Sequence, residues 1–248
     1  MVTKSEGSTK GEGSTKGETK DGVVAGGRRE RKKQQTRQLI ADTAARLFAE
    51  HGYEQVAVVD VANAADLSEQ TVYNYFPTKQ DLVLDRAGDM SDRLTGLIRS
   101  RPSGTSPVAA IREYALGFVE EIRSIPADQA RGGLDYLAAI SPTVRRLSLE
   151  VTDRFADAIA AAITDTVNNA SPQLAKLQAI ALAWIFQTII DETGRRKLAG
   201  QQPTQIATEL RPIIEDLINS LERWLAPSNA TKERLPLGRS RTRTLSSQ

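Results

Sequence analysis

Between Val58 and Lys79 the chain reads VVDVANAADLSEQTVYNYFPTK, which leaves room for two short helices, a tight corner between them and little else. Val58, Val61, Ala62 and Ala65 recur at helical spacing and give the first helix an apolar face of small side chains, so another helix can cross it closely. The pattern stops at Asp66-Leu67. A sharp corner between helices often needs a residue at positive φ, and Asp tolerates that better than most residues other than Gly. Ser68 stands where an N-cap belongs, and Glu69 in the first turn suits the positive end of a helix. The second helix is expected from Ser68 to about Tyr75, with Val72 and Phe76 facing inward together with Leu67. Glu69, Gln70, Thr71, Tyr73 and Asn74 are left for the outside, a set of donors and acceptors long enough to reach base edges and phosphates. Pro77 ends the helix. Thr78 is placed to cap the next one, and Lys79 is expected in its first turn on the same side as Tyr75.

The other helices follow from the same periodicity and from Ser-Pro and Gly punctuation. The first is expected from about Glu30 to Glu50, with Ile40, Ala44, Leu47 and Phe48 inward and Gly52 as the residue beyond its end. A fourth helix is expected over Lys79–Ser100, a loop over 101–107, and a fifth helix over Val108–Arg123 with Ile111, Ala115, Phe118, Val119 and Ile122 inward. A sixth lies near Ala127–Ala139. The seventh starts after Ser141-Pro142 and runs to Val167, the eighth runs from Ser171-Pro172 to Leu198, and the ninth from Pro203 to Leu225. No stretch alternates as a strand does, so the fold class is all-α.

Gly52-Tyr53 followed by Val58 to Lys79, with YNYFPTK intact, resembles the DNA-binding domain of the TetR family of bacterial repressors over about Arg31 to Leu84. The resemblance implies an N-terminal three-helix helix-turn-helix domain joined to a larger C-terminal helical domain that binds a small molecule and dimerises. It implies DNA contacts from Ser68, Gln70, Thr71, Tyr73, Asn74, Tyr75 and Lys79, and from Thr36 near the start of the first helix, with Arg37 beside it. Two positions depart from the family pattern. Ala57 replaces the usual Ser or Thr cap of the first motif helix, a local cost of about 1 kcal/mol, and Asp66 replaces a frequent Gly.

Within the chain of 248 residues, residues 1–27 are expected to be a disordered leader, 28–78 the DNA-binding domain, 79–226 the effector-binding and dimerisation domain, and 227–248 a disordered basic tail carrying Arg239, Arg241 and Arg243. The leader repeats EGSTKG at Glu6 and Glu12, a composition that cannot bury a core. Net charge is +2, yet Arg28, Arg29, Arg31, Lys32, Lys33 and Arg37 gather against one carboxylate, Glu30. A basic arm there is placed to follow phosphates or to enter a minor groove.

The absence of cysteine excludes disulfides, thiolate zinc sites and a Cys nucleophile. No nucleophile–base pair, metal-ligand spacing or phosphate loop is recognisable, so neither an enzyme nor a cofactor is expected. His51, the single histidine, is expected to serve the negative end of the first helix. No eighteen-residue apolar run and no secretory signal are apparent, which points to a cytoplasmic protein without a membrane span.

The last two long helices are apolar over wide arcs and so need cover on two sides. In the eighth the residues are Leu177, Ile180, Ala181, Trp184, Ile185 and Ile189. In the ninth, Leu210, Ile214, Leu217, Leu221 and Trp224 are assigned to a homodimer interface. Tyr114, Phe118, Phe155, Trp184, Phe186 and Gln187 are the candidate lining of an effector pocket suited to a hydrophobic or aromatic molecule. The function expected is a homodimeric repressor that binds a near-palindromic operator in double-stranded DNA and is released by a small molecule. The alternative is a DNA-binding regulator switched by a protein partner or not switched at all.

Overall fold

A computed structural model describes the protein over residues 21–85, 87–125, 131–167 and 171–225, and every regular element among these residues is an α-helix. In chain order they are α1 (Asp21–His51), α2 (Val58–Ala64), α3 (Glu69–Tyr75), α4 (Lys79–Val83), α5 (Ala87–Ser100), α6 (Pro107–Arg123), α7 (Leu134–Ile140), α8 (Pro142–Thr166), α9 (Pro172–Leu198) and α10 (Pro203–Leu225). The expected leader up to residue 20 and the expected basic tail lie outside the described residues.

The Ser-Pro pairs set the starts of three helices by one device. Ser106, Ser141 and Ser171 each accept a hydrogen bond from the backbone N–H three residues on, at 3.0, 3.1 and 3.5 Å, and the following Pro occupies a position whose N–H has no helical partner anyway. Gly52 closes α1 at φ +85°, its N–H donating to the Phe48 carbonyl at 2.9 Å.

Three boundaries differ from expectation. Helix α1 begins at Asp21, inside the stretch expected to be leader, and carries the basic cluster as continuous helix. The expected helix over Lys79–Ser100 is broken in two. Helix α4 stops where Leu84 leaves the helical region at φ −99° and ψ 20°, and Asp85 beyond it turns to Arg37 of α1. Helix α7 is confined to Leu134–Ile140, and residues 126–130 of the expected sixth helix lie outside the described ones.

Two apolar cores form. The first gathers Ile40, Ala44, Phe48, Tyr53, Val56, Val61, Val72, Phe76 and Leu82 from α1–α4, but also Leu137, Ala138, Val144 and Leu147 from α7 and the start of α8. The second joins α5, α6, α8, α9 and α10 around Leu94, Ile111, Phe155, Ile159, Leu182, Phe186, Leu210 and Ile214. A domain border at residue 79 is therefore not a border between cores, because the α7–α8 corner completes the N-terminal one.

That corner is held by close backbone approach and by charge. A Cβ on Gly194 of α9 would lie 2.2 Å from the Asp135 carbonyl oxygen of α7, so only a glycine admits the contact. One turn on, Lys197 meets the Asp135 carboxylate at 2.6 Å with its side chain only 4% exposed. Breaking such a pair leaves a buried charge without compensation.

Helix α9 contains an 18-residue window of mean hydropathy 1.3, long and apolar enough by length and composition to cross a membrane, which corrects the expectation that no such run exists. Packing accounts for it. Ala175, Ala179, Leu182, Ala183, Phe186 and Ile189 are buried in the core, whereas Leu174, Leu177, Ile180 and Trp184 form a second, outward stripe.

Gly194→Ala should lower the urea midpoint at unchanged m-value. Overpacking against the α7 backbone costs about 1–3 kcal/mol, which outweighs the helix preference of Ala, about 1 kcal/mol. A raised midpoint would show that α7 yields without loss.

Candidate nucleic-acid interface

Each piece of the α2–α3 corner has a local cause. Asp66 sits at φ +55°, where the expected turn needed it, and Leu67 N–H returns to the Ala62 carbonyl at 2.9 Å. The Ser68 hydroxyl accepts from Thr71 N–H at 3.1 Å and lies 2.7 Å from the Thr71 hydroxyl. Ala57 offers α2 no side-chain cap, but the Asp60 carboxylate accepts the Ala57 N–H at 2.7 Å and supplies the other half of a capping box. At the far end Thr78 and Asp81 form a complete box that starts α4, with Thr78 N–H to Asp81 Oδ2 at 2.9 Å and Asp81 N–H to Thr78 Oγ1 at 3.3 Å.

Helix α3 is anchored through Val72 and, just past its end, Phe76, both completely buried, while Glu69, Gln70, Tyr73 and Asn74 are exposed and Thr71 and Tyr75 half-buried. Gln70 Nε2 donates to Asn74 Oδ1 at 3.2 Å, so the two amides form one platform. A helix with one buried edge and a face of hydroxyls and amides can enter a major groove and meet base edges.

Lys79 stands at the rim with its ammonium 4.2 Å from the Tyr53 ring centroid. Burial lowers its pKa from the ordinary lysine value, against the opposing pull of Glu54 and Asp60. Burial also raises the Tyr53 phenol, helped by the charge of Glu54. The Glu54 carboxyl is held below its ordinary value chiefly by the Ser141 hydroxyl, which donates to it at 2.5 Å. Thr36 is half-buried and donates its hydroxyl to the Lys32 carbonyl at 3.0 Å.

Arg37, expected beside the phosphates, is engaged within the subunit: its Nη1 donates to the Tyr75 carbonyl at the end of α3 at 3.0 Å, its Nη2 lies 2.5 Å from Asp85 Oδ1, and its guanidinium stacks 4.4 Å above the Phe76 ring. It is a brace between α1, α3 and the α4–α5 junction. The Arg in a basic cluster gave no sign of this.

In the C-terminal domain the ring centroids of Tyr114 and Phe118 lie 5.8 and 6.0 Å from that of Phe186, with Tyr114 and Phe118 half-buried and Phe155 and Phe186 buried. Gln187 is wholly buried. Its carbonyl accepts from Ser148 and Thr152 at 2.9 and 2.7 Å, and its amide donates to Asp191 at 2.7 Å. Trp184 does not join this group; it is 47% exposed on the outer stripe of α9. The interface assignment also divides. Leu210 and Ile214 are completely buried within the subunit and have no surface to offer a partner, because helical spacing turns them toward α6 and α9. Leu221 is half-buried, and Leu217 and Trp224 are exposed, as is Ile213, which the interface assignment omitted.

A buried-edged helix in a capped, tightly cornered pair defines a helix-turn-helix protein. Residues 40–85 match the family model of bacterial regulatory proteins, tetR family. The chain is 28% identical over 114 residues to the uncharacterized HTH-type transcriptional regulator YuxN of Bacillus subtilis, a match covering 44% of this chain and 39% of that one. It is 29% identical over 169 residues to the HTH-type transcriptional regulator EthR of Mycolicibacterium smegmatis, covering 66% of this chain and 75% of that one. The chain thus spans less than two thirds of YuxN. Native NalD, the secondary repressor of the MexAB-OprM multidrug efflux pump in Pseudomonas aeruginosa, shares the fold at 18% identity, with a TM-score of 0.51 over 77% of this chain and 96% of that one. Over residues 40–85, the helix-turn-helix region of this chain is that of the TetR family of bacterial regulatory proteins.

Arg37→Ala should destabilise the protein by about 1–2 kcal/mol, the worth of a charged hydrogen-bond pair, and weaken DNA affinity without changing its salt slope, because the guanidinium is spent internally. A slope reduced by about one unit at unchanged stability would return Arg37 to the phosphates.

Proposed function

We propose that the protein is a homodimeric, DNA-binding transcriptional repressor that is released from a near-palindromic operator by a small molecule, and not an enzyme. The observation that carries the proposal is the exposed polar face of α3, held rigid by Val72, Phe76 and the Ser68 cap. In this reading Gln70 and Asn74 read bases, Tyr73 and Thr71 approach from the same face, and Ser68, Tyr75, Thr36 and Lys79 position the phosphate backbone. Work in the cytoplasm, where the DNA lies, follows from the same reading.

Selection from a random duplex pool tests the first part. Two identical half-sites at a spacing of about one helical turn are expected in the enriched sequences. On the selected duplex, Gln70→Ala should lose about 1–3 kcal/mol and relax preference at one base pair per half-site. Equal losses on selected and scrambled duplexes would reduce Gln70 to a backbone contact.

Dimerisation is supported by two outward apolar stripes, Leu174, Leu177, Ile180 and Trp184 on α9 and Ile213, Leu217 and Trp224 on α10. Stripes at these spacings suit a two-fold bundle with a second copy. Leu217→Glu places a carboxylate in that seam and should yield a folded monomer by sedimentation, since Leu217 is exposed in the single subunit. A mutant that remains a dimer would remove this stripe from the interface.

The effector is proposed to lie among α5, α6, α8 and α9, against the rings of Tyr114, Phe118 and Phe186. The half-buried rings of Tyr114 and Phe118 set against buried Phe186 support this placement, whereas the Gln187 amide is engaged by Ser148, Thr152 and Asp191 within the subunit. Release requires that the molecule prefer the form in which the two α3 helices are wrongly spaced for the operator.

A further inference from the structure

The basic cluster that precedes the helix-turn-helix is not a flexible arm. Helix α1 runs unbroken from Asp21 to His51, about 46 Å at 1.5 Å per residue. The first buried side chain among its described ones is Ile40, and residues 28–35 are exposed without exception. Residues 28–35 of α1 thus stand clear of the N-terminal core as a solvated stretch of helix bearing Arg28, Arg29, Arg31, Lys32 and Lys33 against Glu30.

Arg29, Lys32, Lys33 and Thr36 stand at positions i, i+3, i+4 and i+7 and therefore share one face. The Thr36 hydroxyl is tied to the Lys32 carbonyl, which continues that face into the folded domain. Glu30 falls off it. The stripe is about 10 Å long, the axial rise of about three phosphates on one strand at 3.4 Å each.

Groove dimensions narrow what this rod can touch. An α-helix with its side chains is about 10–12 Å across, whereas the minor groove of B-DNA is about 6 Å wide. A helical arm cannot thread that groove as an extended one does. The major groove of the half-site is taken by α3. The phosphate ridge beside the half-site remains.

We propose that the N-terminal half of α1 is a rigid phosphate-binding strut that lays Arg29, Lys32 and Lys33 along duplex DNA flanking the operator half-site, adding affinity without sequence preference. The proposal rests on the DNA-reading role of α3 given above. Because the rod is already helical, little conformational freedom remains to be lost on contact.

The test uses the full chain and two versions of the duplex selected with it, one trimmed to the enriched sequence and one extended by a helical turn of about ten base pairs at each end. The unaltered protein should show a log–log salt slope steeper by about 2–3 units per subunit on the extended duplex, at about 0.9 for each phosphate neutralised. The triple variant Arg29→Ala, Lys32→Ala, Lys33→Ala, all on exposed helical positions, should lose that difference and keep its preference for the selected over a scrambled core. Gln34→Pro keeps every cation but breaks the rod, and it should lose most of the difference too. A triple variant that retains the flank-dependent slope overturns the strut, and a Gln34→Pro variant that retains it overturns its rigidity. Equal binding of selected and scrambled cores by the unaltered protein would overturn the role of α3 instead, and the flank dependence would then judge the strut alone.

Discussion

The guanidinium of Arg37 joins three parts of the molecule directly. From α1 it reaches the last carbonyl of α3, covers the Phe76 ring and meets Asp85 where α4 gives way to α5. A bidentate, planar cation suits this role, since one face stacks while two edges donate. The orientation of α3 and the lead into the C-terminal domain therefore depend on the same side chain. Asp85 and Arg37 thus form a physical route from the lead into α5 to the end of α3.

A second route runs through α7. Gly194 lets the α7 backbone approach α9 closely, and Lys197 locks Asp135 in place. On its other side α7 and the start of α8 bury Leu137, Ala138, Val144 and Leu147 against α1 and its neighbours, and Ser141 donates to Glu54 beside the Lys79–Tyr53 pair. The N-terminal domain cannot shift without disturbing a core that the C-terminal domain helps to fill.

Helix α9 shows how composition can mislead about environment. Its hydropathy meets the requirement for a membrane span, yet about half of its apolar residues fill the core, and Leu174, Leu177, Ile180 and Trp184 form an outward stripe. With the stripe on α10, it leaves an exposed apolar surface on the subunit. Wide apolar arcs were visible in the sequence, but the split of each arc into an inner and an outer half was not. Leu210 and Leu217 sit seven residues apart in one apolar pattern, one wholly buried and the other exposed.

The sequence by itself determined the local geometry. The cap at Ser68, the positive φ of Asp66, the box at Thr78, the Ser-Pro starts and the inward set of Val72 and Phe76 all stand where short-range rules put them. Such features need only neighbours within a turn or two. The outward face of α3 was legible for the same reason. What only the tertiary structure decided were the matters of long-range partnership. Arg37 became a brace because Tyr75 and Asp85, far off in the chain, converge on it. Trp184 went to the surface because the face of α9 that packs on Tyr114 and Phe118 is the one carrying Phe186, nearly opposite Trp184 on the helix. The cost of a close approach at Gly194 depends on a helix some sixty residues earlier, and spacing along a chain carries no record of which distant segment will be folded against it.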